Sequence, residues 1–166
     1  ARILTIYEGT TAIQANDLIG RKTARNGGAV ARALLARVRE TEEQLAQAGG
    51  ADLPAIAARL SAGRAALEDA VQFVVDTIGS DVRAAFAGSV PYLKLAGVVL
   101  SGWQMARAAL AAERMLKAGE GDAQFLQAKI ATARFHADHL LTQAGALRAA
   151  ATEGAAGVLA MPEAAF

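Results

Sequence analysis

Glycine and proline cluster at Asn26-Gly27-Gly28, Gly49-Gly50, Gly88-Ser89-Val90-Pro91, Gly119-Glu120-Gly121 and Gly154 to Gly157. Such clusters end helices, because glycine reaches left-handed backbone angles freely and proline cannot donate to a helical ladder. The intervals between them each hold several helical turns, and their residues favour helix: 43 of the 166 residues are alanine and only 5% are aromatic. The pattern predicts an all-α chain. Small side chains at helix contacts let axes approach closely and leave little volume for a ligand cavity.

A short first helix is expected over residues 11 to 22, where Thr11-Ala12-Ile13-Gln14 fits the capping box of reciprocal hydroxyl and amide bonds. From Ala29 to about Gln47, Val30, Leu34, Val38 and Leu45 share one stripe among charged residues. Asp52 is suited to cap the next helix, with Pro54 tolerated in its first turn. Ile56, Leu60, Leu67, Val71, Val74 and Ile78 carry that helix to Gly79. Residues 80 to 86 either extend it or form an irregular bridge. Pro91 to Lys117 is apolar on nearly every face through Trp103, as the most buried helix would be. Its window Leu95 to Ala112 has bilayer-spanning length, but Ser101, Gly102, Gln104 and Arg107 within it favour a buried helix over a membrane span. From Asp122, residues Leu126, Ile130, Ala133, Ala137, Leu140, Ala144 and Leu147 alternate steps of four and three, the seam of knobs-into-holes packing. The expected architecture is a four-helix up-down bundle, preceded by a short helical segment and followed by a loose tail.

Several chemistries find no support. Without cysteine there are no disulfides, thiolate metal sites or cysteine nucleophiles, a usage that suits a reducing, cytoplasmic setting. Seventeen Lys and Arg against sixteen Asp and Glu leave no global field for nucleic acid. Seven of the basic groups lie in the first 39 residues beside only Glu8 and Asp17, a bias that reads as a solvated or interface surface. Nucleotide-loop fingerprints are missing, and Ser61 and Ser101 lie in helical sequence without a nucleophile elbow. His136 and His139 can share a helix face and bind a metal, yet no other histidine exists to complete a site, so a surface or interface role is expected and no metal. Glu8 follows the apolar run Ile3 to Tyr7 and precedes a helix start. It reads either as a carboxylate interacting with the helix dipole or as a partly desolvated acid-base group. The opening Ala1-Arg2-Ile3, with neither initiator methionine nor secretory pattern, reads as cut from a longer chain. On these residues alone, a helical interaction module without enzymatic parentage is a complete description.

The run Arg2-Ile3-Leu4-Thr5-Ile6-Tyr7-Glu8-Gly9-Thr10-Thr11-Ala12-Ile13-Gln14 resembles the segment of acyl-CoA dehydrogenases in which Tyr-Glu-Gly-Thr, followed by Ile-Gln, carries the catalytic base. Its continuation, Asn16-Asp17-Leu18-Ile19-Gly20-Arg21-Lys22 and then a glycine turn, is similar to the large bacterial branch that bears an extra C-terminal domain. The resemblance implies an α,β-dehydrogenation of an acyl-CoA thioester. Glu8 would be the base for the α-proton, Gly9 the place where the acyl chain nears the backbone, and Thr10 a contact to FAD. Gln14 fits the cofactor side of the same motif, whereas Ala12 stands where many relatives carry a polar residue. Residues 1–25 would end the catalytic domain and residues 26–166 form a C-terminal bundle that packs or oligomerises. FAD, acyl-CoA and an electron-transfer flavoprotein would be partners of the full-length enzyme, and a homo-oligomer is implied. The flavin-bearing parts of such enzymes precede this motif, so the chain alone is expected to hold no FAD and to be inactive.

Overall fold

The computed structural model describes Ile6 and residues 10–165. Helices account for the described architecture, and no strand occurs among the described residues. Helix α1 (Thr11–Asp17) continues directly into a π-helical segment (Leu18–Thr23) and a short 3-10 turn (Arg25–Gly28). There Asn26, Gly27 and Gly28 adopt φ of 58°, 60° and 79°, left-handed angles that glycine reaches without strain, and the chain reverses into α2 (Ala29–Gln47). Then follow α3 (Asp52–Thr77), the short α4 (Val82–Ala87), α5 (Ser89–Ala118), α6 (Ala123–His139), α7 (Ala144–Glu153) and α8 (Ala155–Leu159).

Side-chain pairings fix the directions. Gly28 abuts Val75 while Glu42 meets Arg64, so α2 and α3 are antiparallel. Gly88 lies against Ala151, Gly102 against Leu141 and Gly121 beside Leu126, so α5 runs against the α6–α7 arm. Asp52 pairs with Arg134 and Asp69 with Arg148, making α3 parallel to that arm. The result is the up-down bundle that the sequence predicts. Helices α3 and α5 form its centre, α2 covers one side, and α6 with α7 covers the other. Helix α5 is long and apolar enough by composition to cross a bilayer, but half of its most apolar window is buried among the other helices.

Four local expectations are corrected. Asp52 is the first residue of α3 rather than its cap, and its carboxylate accepts from Arg134 at 3.1 Å. Residues 80 to 86 neither extend α3 nor stay irregular: Asp81 accepts from the Ala84 amide at 3.0 Å and starts α4 as a separate helix. The tail is not loose throughout, since Ala155–Leu159 forms α8, which packs on α4. The seam from Leu126 to Leu147 is not one helix. At Leu140 (φ −105°, ψ −49°) the ladder stops, a 3-10 turn over Leu141–Gln143 follows, and α7 begins at Ala144. The break exchanges one leucine for its neighbour: Leu141 is buried and Leu140 only half-buried.

Leu141 is a knob set between two glycines of the central helices. A Cβ on Gly102 would lie 2.9–3.1 Å from its Cδ2, Cδ1 and Cγ, and one on Gly63 would lie 3.1 Å from Cδ2. Several polar groups inside the bundle are matched. Trp103 Nε1 donates to Thr41 Oγ1 at 2.8 Å, and Thr41 donates onward to the Arg37 carbonyl. The Arg37 and Arg107 guanidinium groups lie 5.5 and 5.4 Å from the same indole ring, within cation–π range. Buried Arg64 donates to both Glu42 oxygens, at 2.8 and 3.0 Å, and to Glu68 at 2.7 Å.

Candidate functional site

The sequence places its strongest chemical candidates at the N-terminal segment. Glu8 and Gly9 lie outside the described residues. Thr10 is the N-cap of α1 and its carbonyl accepts the Gln14 amide at 2.9 Å, but its hydroxyl does not cap the helix. The expected capping box is absent for a reason of register. The helix starts one residue early, so Thr11 is its first residue and the residue three after the true cap is Ile13, which has no side-chain amide to return. Thr10 and Gln14 therefore stand one turn apart on the same face, Gln14 exposed, with their side chains not consumed by capping. No acidic residue occupies the first turn of α1, so its leading amides keep their positive character.

The segment is anchored on the bundle. Ala15 and Ile19 are wholly buried, α1 packs on α5, and the Thr23 and Tyr92 hydroxyls meet at 2.9 Å in the interior. Burial raises the Tyr92 phenol above its ordinary value, opposed by the Thr23 hydrogen bond. The π-helical turn between Leu18 and Thr23 puts both anchors, Ile19 and Thr23, on the inward face. The outward face keeps Ile13 64% exposed. Two cations nearby, Arg21 and Lys22, pair with Asp17 at 2.9 and 3.2 Å, and Arg32 donates to Gln72 at 2.8 Å.

Between this segment, α2, α3 and α5 lies an apolar cavity of about 200 Å³, walled by Leu18, Leu34, Leu67, Val71, Tyr92 and Leu100. It is smaller than the usual few hundred Å³ of a small-molecule site, in keeping with the small side chains at the helix contacts.

The fold also makes a pairing that sequence spacing does not reveal. Ser101 on α5 and His136 on α6 meet, Oγ to Nε2, at 2.9 Å. Ser101 donates to the Val98 carbonyl at 3.1 Å, so it accepts from His136 Nε2–H, and buried Nδ1 has no partner among the described residues. A nucleophilic dyad needs the opposite polarity, with the hydroxyl proton directed at the ring and a carboxylate behind it. This pair is a helix contact. Burial lowers the His136 imidazole below its ordinary value. His139 is exposed and stacks on Phe135, ring centroids 4.4 Å apart. Among the described residues no three His, Asp or Glu side chains gather as a metal site.

Comparison with known proteins adds the decisive observation. Residues 34–162 match the family model described as acetyl-CoA dehydrogenase C-terminal like. The chain is 51% identical over 146 residues to 3-methylmercaptopropionyl-CoA dehydrogenase of Ruegeria pomeroyi, covering 88% of this chain and 24% of that protein. It is 33% identical over 156 residues to the broad-specificity linear acyl-CoA dehydrogenase FadE5 of Mycobacterium tuberculosis, covering 85% of this chain and 24% of the relative. The chain thus spans about a quarter of the length of the curated relatives it matches.

Proposed function

The chain belongs to the acetyl-CoA dehydrogenase C-terminal-like family, and from that premise we propose that it is the C-terminal part of an FAD-dependent acyl-CoA dehydrogenase acting on an acyl-CoA thioester. The observation that carries this reading is the run Tyr7-Glu8-Gly9-Thr10 directly ahead of α1, in a chain half identical to an enzyme of that name.

Glu8 is the base in this reading, taking the α-proton of the acyl group onto a carboxylate oxygen. A carboxylate does this well where apolar surroundings raise its basicity toward the working pH, and the neighbouring run Ile3 to Tyr7 is apolar. Gly9, with no side chain, lets the acyl chain approach the backbone. Thr10 offers a hydroxyl that does not cap α1, and Gln14 its exposed amide, to the cofactor; Ala12 offers no polar contact. FAD, when bound, supplies a hydride acceptor for the β-hydrogen. An electron-transfer flavoprotein would then reoxidise the enzyme, in a cytoplasmic setting. Residues 1–25 close the catalytic domain, while residues 26–166 form a packing or association module with no chemistry of their own. The chain alone is therefore expected to be inactive.

The test is Glu8→Gln in the full-length enzyme. FAD absorbance should be retained, and dehydrogenation should fall by roughly two to four orders of magnitude, the usual scale for losing a general base. Near-normal turnover would assign the base elsewhere.

A further inference from the structure

The Thr23 and Tyr92 hydroxyls carry more protons than they have acceptors. They meet at 2.9 Å, so one donates and the other accepts, and each is a single donor. The accepting hydroxyl's own proton finds no acceptor among the described residues. Burial holds the phenol above its ordinary value, so both hydroxyls keep their protons at neutral pH. The two residues are only 2% and 3% exposed, and a donor left unpartnered at that depth costs the free energy of its lost hydration.

This pair is part of the wall of the apolar cavity of about 200 Å³ beneath the π-helical segment. The deep wall is hydrocarbon, with Leu35, Leu67 and Val71 all buried, whereas Val30 and Lys22 are exposed and mark the opening. Lys22 is the only charged residue of the wall among the described residues, and its ammonium is turned to Asp17 at 3.2 Å, so nothing inside calls for a charged guest. A water molecule needs two to four polar partners, and this cavity offers one pair of hydroxyls. A molecule with an apolar body and one accepting oxygen matches what the wall provides.

We propose that the cavity is a binding site for a small neutral carbonyl compound, its oxygen accepting the spare hydroxyl proton and its hydrocarbon body lying among the leucines. A carbonyl oxygen accepts without bringing a proton that would itself need a partner, whereas an alcohol or an amine brings one. Since a cavity of about 150 Å³ holds benzene, this one takes a guest of roughly eight non-hydrogen atoms, and binding on the order of 1 mM is expected for that size. The guest would touch Leu18 of the first segment, Leu34 of α2, Leu67 of α3 and Leu100 of α5, and so fill the space between that segment and the bundle.

Cyclohexanone and methylenecyclohexane are probes of one shape that differ in an oxygen against a methylene. In methyl-selective NMR titrations of the chain, cyclohexanone should shift the signals of Leu34, Leu67, Val71 and Leu100 and leave those of Leu126 and Leu159 in place. Tyr92→Phe combined with Thr23→Val removes both hydroxyls at nearly constant shape, a change close to neutral for folding. It should weaken cyclohexanone at least about fivefold, the scale of one hydrogen bond, and leave methylenecyclohexane within about twofold. Ala96→Leu, which adds hydrocarbon to the wall, should block both probes; circular dichroism checks that each variant folds. The proposal is overturned by lining methyls that do not move at tens of millimolar cyclohexanone, which would leave the cavity to water. It is equally overturned by an unchanged cyclohexanone affinity without the two hydroxyls, or by undiminished binding in Ala96→Leu. None of these readouts involves Glu8, an acyl thioester or FAD, so their failure leaves the proposed base standing and failure at Glu8 leaves the cavity standing.

Discussion

Replacing Gly102 by alanine should change sign according to what stands at position 141. In the native chain the new methyl would arrive 2.9–3.1 Å from three atoms of Leu141, against about 3.5–4.0 Å for comfortable carbon contact. Leu141 has little room to retreat, because its Cδ2 faces Gly63 on α3 so closely that a Cβ there would lie 3.1 Å away. Overpacking of this kind costs about 1–3 kcal/mol. Replacing glycine inside a helix returns about 1 kcal/mol, so the net is a loss of about 1 kcal/mol. Leu141→Ala alone empties a buried site whose neighbours are glycines and cannot collapse into it, for a loss of about 2–5 kcal/mol. In that background Gly102→Ala meets no clash, fills part of the void and keeps its helical advantage, a gain of about 1–2 kcal/mol. The cycle therefore predicts a coupling of about 2–3 kcal/mol. Urea unfolding followed by far-ultraviolet circular dichroism reads it directly, provided the slope with denaturant is unchanged. For a chain of this length the single change should lower Tm by about 3 °C and the same change in Leu141→Ala should raise it by a similar amount. Effects of the same sign in both backgrounds, additive within about 0.5 kcal/mol, would refute the knob between two glycines.

Two further outcomes follow from buried polar groups. Arg64→Ala strands the Glu42 carboxylate, buried between α2 and α3, and should cost about 3–5 kcal/mol; the double change Arg64→Met with Glu42→Leu should recover most of that loss, and equal losses for the single and double changes in denaturant melts would contradict it. His136 titrates below its ordinary 6.5 because burial penalises the imidazolium, so the unfolded chain binds its proton first: the stability present above about pH 6.5 falls as pH drops through the window below it. His136→Gln should flatten the slope of stability with pH just below about 6.5, whereas the Asp138 carboxyl, held below its ordinary 3.8 chiefly by the Arg134 hydrogen bond, contributes only at more acid pH. An unchanged slope in that variant would show that the imidazole is solvated.

The helical order of the bundle was legible because it rests on signals that act locally. Glycine pairs end helices wherever they fall, and the stripes through Ile56, Leu60, Leu67, Val71 and Val74, or Leu126, Ala133 and Ala137, bury the residues that their spacing selects. What escaped depends on tertiary choice. Leu140 and Leu141 are adjacent and equally apolar, so periodicity alone cannot say which one turns inward. The selection is made by the hole between Gly63 and Gly102, on helices 78 and 39 residues earlier in the chain, and the 3-10 turn is the backbone's response. The shift at α1 is of the same kind. Gln14 favours Thr11 as the cap on sequence grounds, yet the helix takes Thr10, with Ala15 and Ile19 buried on its inward face.

The candidate chemistry divides along a different line. The proposed base, Glu8, is singled out by the order of its neighbouring side chains, and no periodicity or composition would separate it from fifteen other acidic residues. Its support, by contrast, comes from contacts distant in sequence: Ile19 seated in the core and Thr23 bonded to Tyr92 fix residues 11–23 to α5. A change that loosens this anchor, without touching the motif, should therefore loosen α1. The helical bundle and the proposed catalytic segment are in this sense one mechanical unit. Among the described residues of the bundle no His, Asp or Glu cluster gathers as a metal site, and the bundle holds the helix that directly follows the proposed motif in sequence.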